Sequence, residues 1–194
     1  MTAPIKLNLK VYQGSTFTEV LRWESGTKIY VPITGISKAA PMIVTAPGHS
    51  IPVGWRANIS NVAGMKEANA LTDIIVTDTT SDTVTFNDIN SLAYNAYTSG
   101  GILEYNEPVD LTGYTARMQI REKITSDTVI QELTTENGYI ELDTILNRIT
   151  IQLPASITQN FSFTNAVYSL ELVKEQVVTP LLYGNVSLVA EVTR

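Results

Sequence analysis

The sequence predicts an all-β protein, a sandwich or barrel built from short strands. Apolar and polar residues alternate with period 2 in one segment after another, the signature of strands with one buried face. Threonine makes up about one residue in eight, and with Val and Ile it supplies the β-branched side chains that suit a pleated surface. Turn residues separate these segments at intervals of roughly ten residues, the spacing of an all-β fold.

Ile5 to Val11 alternates apolar residues with Lys6, Asn8 and Lys10. Gln13-Gly14-Ser15 is turn material. Thr16 to Trp23 then places Phe17, Glu19, Leu21 and Trp23 on one face and Thr18, Val20 and Arg22 on the other. In the C-terminal half, Thr115 to Arg121 puts Ala116, Met118 and Ile120 on one face, and Val129 to Leu133 is a second short run. Tyr139 to Leu142 and Arg148 to Leu153 read as a pair joined by the turn around Asp143 to Asn147. Val167 to Val173 and Val186 to Val192 complete the set. The best helical candidate is Pro154 to Asn160, with Pro154 in a first turn and Ser156 as a cap.

Residues 36–105 differ in composition: they are rich in Ala, Gly and Asn and hold the single His and the second Trp, Trp55. Two similar phrases flank them, Val31-Pro32-Ile33-Thr34-Gly35 and Val109-Asp110-Leu111-Thr112-Gly113. The expectation is one discontinuous domain, 1–35 plus 106–194, with a small β-barrel-like module, 36–105, inserted at a loop.

Composition limits function. The 194 residues are 44% hydrophobic and 16% charged, enough apolar material for a core. Lys and Arg number 13 against 19 Asp and Glu, a net charge of -6, which disfavours nucleic-acid binding. No stretch reaches the ~18 apolar residues of a membrane span, and the N-terminus lacks the apolar core of a secretory signal. Cysteine is absent and His49 is the single histidine, so thiolate chemistry and multi-His metal sites are excluded.

The remaining candidates each have a structural reading beside the functional one. His49 is a base or ligand candidate, but Pro47-Gly48-His49-Ser50 reads first as a turn. Asp73, Asp78, Asp82 and Asp88 lack calcium-loop spacing and suit hairpin turns. Glu132, Glu136, Glu141 and Asp143 offer carboxylates for a glycosidase pair, yet solvated strand ends explain them. Trp23, Tyr30, Trp55, Tyr94, Tyr97 and Tyr105 are the aromatics that would meet a sugar or a partner, with Trp23 expected in the core. No Walker, Rossmann or nucleophile-elbow motif occurs, and Gly100-Gly101 reads as a hairpin or bulge signal.

Two segments carry a family resemblance. Ile33 to Asn69, with Gly64-Met65-Lys66-Glu67-Ala68-Asn69, and the later Tyr97-Thr98-Ser99-Gly100-Gly101 resemble a small β module of phage tail and baseplate proteins. The module is similar to the first catalytic-cysteine half-domain of ubiquitin-activating enzymes, without a cysteine or an adenylating motif. Gln13 to Phe17 with Leu21-Arg22-Trp23, Val109 to Arg121, and Tyr168-Ser169-Leu170-Glu171-Leu172 to Gly184-Asn185-Val186-Ser187-Leu188 resemble the N-terminal sandwich of phage upper-baseplate and fibre-adaptor proteins.

The resemblance implies an immunoglobulin-like β-sandwich in the virion tail, assembled in the host cytoplasm, that holds fibres or receptor-binding proteins. The expected partners are further copies of the chain in a symmetric homo-oligomer and other tail or fibre proteins, with no nucleic acid, membrane insertion, cofactor, metal or catalytic set. The candidate interface residues are Lys6, Asn8 and Lys10 on the N-terminal strand and Tyr94 and Tyr97 in the insert. The alternatives are a carbohydrate-binding module on the host-recognition side and, third, a polysaccharide hydrolase fragment.

Overall fold

A computed structural model of the chain describes residues 3–192. In chain order the elements are β1 (Ile5–Lys6), β2 (Leu9–Tyr12), β3 (Phe17–Arg22), β4 (Glu24–Pro32), β5 (Gly35–Ile36), β6 (Met42–Thr45) and β7 (Arg56–Ala63). A 3-10 helix (Lys66–Ala70) follows, then β8 (Ile74–Ile75), β9 (Asp78–Thr79), β10 (Thr83–Phe86), β11 (Ser99–Pro108), β12 (Thr115–Arg121) and β13 (Val129–Thr134). The chain ends with β14 (Ile140–Asp143), β15 (Arg148–Leu153), α1 (Ala155–Thr158), β16 (Asn165–Lys174) and β17 (Val177–Val189). The protein is all-β, and its β-sandwich character is plain in the sheets below.

The residues group into two compact units: Met1–Leu21 with Leu111–Thr144 and Arg148–Arg194, and Arg22–Asp110 with Ile145–Asn147. The unit boundaries therefore lie outside 35/36 and 105/106. The reason is pairing: β4 runs antiparallel to β11 from Ile102↔Pro32 to Pro108↔Glu24, which draws the whole of β4 into the inserted unit. The two flanking phrases fall in different settings, Ile33 buried in one unit and Leu111 in the other.

The framework unit has a six-stranded sheet, ordered β1-β17-β16-β12-β13 with β2 also on β17, and a three-stranded sheet, β14-β15-β3. Alternation sends one face of each strand inward: Ala116, Met118 and Ile120 from β12, Ala166, Tyr168, Leu170 and Leu172 from β16, and Ile149, Ile151 and Leu153 from β15 are buried. The strand expected over Ile5 to Val11 is split. β1 and β2 both run parallel to β17, but the pairing lapses at Leu7 and Asn8. The Leu7 amide still bonds to the Tyr183 carbonyl at 2.9 Å, and beyond it Gly184 comes so close to the Leu7 carbonyl that any side chain would collide with it. The Asn8 side chain accepts from the Asn185 amide at 3.1 Å, and the buried Tyr168 hydroxyl donates to the Leu7 carbonyl at 2.8 Å. The last strand starts nine residues before Val186 and carries Pro180 opposite Glu171, where the register shifts. The helix at Pro154 is a single turn. Pro154 itself occupies the cap position and no side chain caps the helix; Ser156 lies inside the turn, past the place from which a side chain caps.

The inserted unit has two four-stranded sheets, β5-β6-β10-β9 and β4-β11-β7-β8, around one core containing Met42, Val44, Trp55, Ile59, Met65, Val84, Phe86 and Leu103. The two sheets join at both sides. At one corner the Ile33 amide bonds to Gly101 on β11 at 2.9 Å, and the next amide, Thr34, bonds to Thr45 on β6 at 2.8 Å. At the other, Val76 bonds to the Trp55 carbonyl at 2.9 Å and Thr77 to the Thr85 carbonyl at 2.9 Å. Successive amides thus serve different sheets, and the two sheets curve into a barrel-like ring joined at these corners, with β4 paired to β11 along its length.

The parts of the module singled out in the sequence have local structural jobs. Asn69 brackets Val62 with both ends of its amide, at 2.8 and 3.0 Å, and so continues the ladder beyond β7. Met65 is fully buried. Gly64 has φ +81° and sits against the Ala96 carbonyl, which leaves no room for a Cβ.

Candidate functional site

One free edge of the described sheets lies in the framework unit. β1 and β2 terminate the six-stranded sheet: one side pairs with β17 and the other has no strand beside it among the described residues. Beside this edge, on the outer face, is a groove of about 540 Å³ lined by residues that include Lys6, Tyr183, Ser169, Gln119, Arg121 and Ile124.

Strand register explains why these residues meet. Lys6 is opposite Tyr183, Tyr183 opposite Ser169, and Ser169 opposite Gln119, one continuous row across four strands. The adjacent row runs Asn185, Val167, Arg121. Paired residues share a face, so both rows point outward. Small Ser169 leaves the floor low between the Tyr183 ring and the Arg121 side chain. Ile124, in the loop after β12, is 86% exposed, and Tyr183 is 46% exposed.

The groove's two charged residues, Lys6 and Arg121, are both cations, and neither is ion-paired among the described residues. Arg121 is held by neutral acceptors. Its Nε and Nη2 donate to Gln119 Oε1 at 3.2 and 2.7 Å, and Nη1 donates to the Ser126 carbonyl at 2.6 Å. Gln119 is oriented in turn by donating from Nε2 to Glu132 Oε1 at 2.9 Å. The guanidinium is fixed in place while it retains N–H donors for a further acceptor.

The outer face of β4, β11 and β7 is different, because its charges are matched. Arg56 Nη2 lies 3.1 Å from Glu24 Oε1 and Arg56 Nη1 lies 3.9 Å from Asp73, while Lys28 pairs with Glu104. Burial pushes the Glu24 carboxyl up, but hydrogen bonds from Asn106 and Arg56 and the charges of Arg56 and Arg22 outweigh it and hold the group below its ordinary range. Burial, then the nearby Arg56 charge, lowers Arg22, which lies 5.9 Å from the Trp55 ring centre. This is a satisfied surface ladder that leaves no charge in search of a ligand.

The predicted site residues fall in several places. Lys6 lines the groove. Asn8 is exposed but spends its side-chain oxygen on Asn185. Lys10 is exposed on the edge, its Nζ 5.1 Å from the centre of the Tyr12 ring. Tyr94 and Tyr97 pack against the core of the inserted unit, and the Tyr97 hydroxyl donates within the unit to the Ile33 and Gly100 carbonyls, at 3.1 and 2.9 Å. Trp55 is fully buried and its indole donates to the Asn106 carbonyl at 2.7 Å, whereas Trp23, the expected core residue, is half-buried. Tyr105 is buried as well, which leaves Tyr30 as the exposed member of that aromatic set.

His49 Nε2 donates to the Thr83 carbonyl at 3.2 Å, and Nδ1 is buried without a partner. Asp78 and Asp82 flank the β9–β10 turn, where Thr80 Oγ1 receives the Asp82 and Thr83 amides. Asp143 pairs with Arg148 at 3.6 Å, while Glu132 serves Gln119 on another sheet. Among the described residues, no group of three or more His, Asp and Glu side chains gathers to hold a metal ion.

Sequence reasoning missed Arg121, Gln119 and Tyr183. The first two were within reach, since alternation puts Arg117, Gln119 and Arg121 on the face of β12 opposite Met118. Tyr183 lies close after Pro180 in a run that does not read as strand. No known family pattern matches the chain, and no curated protein matches its sequence.

Proposed function

We propose that the chain is a structural protein of a bacteriophage virion. It acts as a non-enzymatic adaptor in the tail tip, baseplate or fibre-attachment region, with an immunoglobulin-like framework that assembles as a symmetric homo-oligomer and holds fibre or receptor-binding proteins. The observation that carries the reading is the contrast between the units. The two sheets of the inserted module are joined at two corners, whereas the framework keeps an outward edge at β1 and β2 beside a groove whose two cations have no ion pair among the described residues. An exposed strand edge is a pairing surface, which a protein either blunts or uses, and closed cyclic assembly is a common way to use one. Lys6 and Lys10 blunt this edge in a free subunit and offer charge to an acidic neighbour. The resemblance to phage adaptors over both units supports the same reading.

Gold-labelled antibody against the chain, applied to purified phage particles, tests it. Label is expected at the tail end distal to the head, and a chain missing from purified particles would overturn the reading. Incorporation is best probed with Lys6→Glu. Removing residues 1–11 also takes Leu9 and Val11 out of the core and the Leu7 carbonyl away from Tyr168.

A further inference from the structure

We propose that the groove on the outer face of the six-stranded sheet binds a short extended acidic peptide segment of a partner protein, with Arg121 and Lys6 as its carboxylate partners. This names the partner's chemistry at the site of the adaptor reading, and it rests on that reading for the partner being a protein.

Charge selects the ligand's sign. The chain carries a net charge of -6, yet the charged residues that line this groove are both cations, and neither is ion-paired among the described residues; the carboxylate beyond them on the same face, Glu132, is bonded to Gln119. Elsewhere on the surface the arginines of the sheets are matched: Arg117 Nη2 sits 2.8 Å from Glu171 on the same sheet, and Arg56 is shared between Glu24 and Asp73. Arg121 alternates with Arg117 on β12 but is paired with an amide and a backbone carbonyl instead. A guanidinium held by neutral acceptors keeps its affinity for a carboxylate and has already lost its conformational freedom, which lowers the entropic cost of binding.

Shape selects a peptide. Strands lie about 4.8 Å apart, so the row from β1 to β12 spans about 14 Å, the length of about four extended residues. Lys6 and Arg121 stand toward opposite ends of that span. Between them the exposed Tyr183 and Ile124 offer apolar walls, Ser169 gives a low floor, and Asn185 offers an amide for a peptide backbone. The matching segment carries acidic residues at its ends and apolar residues between. A sugar site would call for several stacked aromatics, and here Tyr183 is the single aromatic on the outer face of the groove; Tyr168 contributes from the core side.

The test is a fluorescence-anisotropy titration of the full chain with a dye-labelled hexapeptide, glutamate at both ends and leucine and tyrosine between. The same peptide with lysine for glutamate and a carboxylated monosaccharide are the parallel arms. The glutamate peptide is expected to bind saturably and more weakly at high salt, since exposed charges are screened. Affinity should fall by about tenfold or more, about 1.4 kcal/mol, in Lys6→Glu and again in Ser169→Tyr, which fills the floor. Arg121→Lys, which keeps the charge but loses the fork, should weaken it several-fold. All three side chains are on the outer face, and thermal midpoints check that the variants are folded. No saturable binding up to millimolar peptide, equal binding of the lysine peptide, preference for the monosaccharide, or unchanged affinity in folded Lys6→Glu and Ser169→Tyr would each overturn the proposal. A chain missing from particles would instead overturn the adaptor reading and leave the peptide affinity standing.

Discussion

The Val109 amide donates to the Trp23 carbonyl at 3.0 Å. These two residues mark where the chain enters and leaves the inserted unit, so its two ends are hydrogen-bonded to each other. Insertions are accommodated where the flanking ends lie close, because the host then sees little more than a long loop.

Excising residues 22–110 and joining Leu21 to Leu111 through a short Gly/Ser linker should leave a framework with a cooperative thermal transition. Excising 36–105 instead strips β4 of its β11 partner and exposes Val31 and Ile33, so that variant should aggregate or be cut by protease within residues 22–35. Circular-dichroism melts and limited proteolysis compare the two, and equal behaviour would argue against the outer boundary.

Trp55→Ala should destabilise the inserted unit by about 3–5 kcal/mol, the cost of emptying a fully buried aromatic site. Trp55→Phe should cost less, because it fills most of the volume while losing the 2.7 Å bond to the Asn106 carbonyl. Urea denaturation gives both values.

Tyr168 gives the fold an alkaline limit. Burial, helped by the charge of Glu19, pushes its phenol up to about 12 from 10.0. The folded state holds that proton more tightly than the unfolded chain, so the contribution is complete below about pH 10 and is lost as pH rises toward about 12. Urea midpoints should therefore fall over that window in the native sequence. In Tyr168→Phe the unfolding free energy should be lower at neutral pH by about 1 kcal/mol, for the lost bond to Leu7, and the midpoint should vary less with pH above pH 10.

The Glu24 carboxyl behaves in the opposite sense. It is held below its ordinary range, so its contribution is present at neutral pH and is lost as pH falls below about 4.5. Glu24→Gln should cost about 1 kcal/mol at pH 7 and leave a shallower acid limb in the stability profile.

His49→Ala should cost about 1 kcal/mol or less, because it removes one bond to the Thr83 carbonyl together with a buried ring nitrogen that has no partner. Particle yield and infectivity should stay near those of the parent phage. A loss of several orders of magnitude at normal incorporation would give His49 a function.

Period-2 alternation exposed the framework strands because each buries one face: Met118 and Ile120 inward with Gln119 and Arg121 outward is written in the order of residues. Alternation carries no information on which strand is neighbour to which. The row from Lys6 to Gln119 is made by four segments distant in the chain, so the groove was invisible until register was known. The same limit applies to the corners at Ile33 and Val76, where consecutive amides turn to different sheets without any marker residue. Aromatic identity misled for a related reason. Trp55, Tyr94, Tyr97 and Tyr105 carry polar tips that a partner surface would use, but here backbone carbonyls and amides of the same unit take most of those tips.

The parallel pairing of β1 and β2 with β17 also sets an order of events during synthesis. β1 and β2 are made well before β17, their hydrogen-bonding partner. The strands of the inserted unit, by contrast, have all been made once Asp110 has emerged. At about 5–20 residues per second, the about 80 residues from there to Val189 take about 4–16 s. For that interval the N-terminal segment, apolar at Leu9 and Val11, lacks the strand it pairs with in the folded unit. A strand left without its partner is an exposed pairing edge, so the time to make β17 is the time over which this sheet has to be protected from wrong pairing.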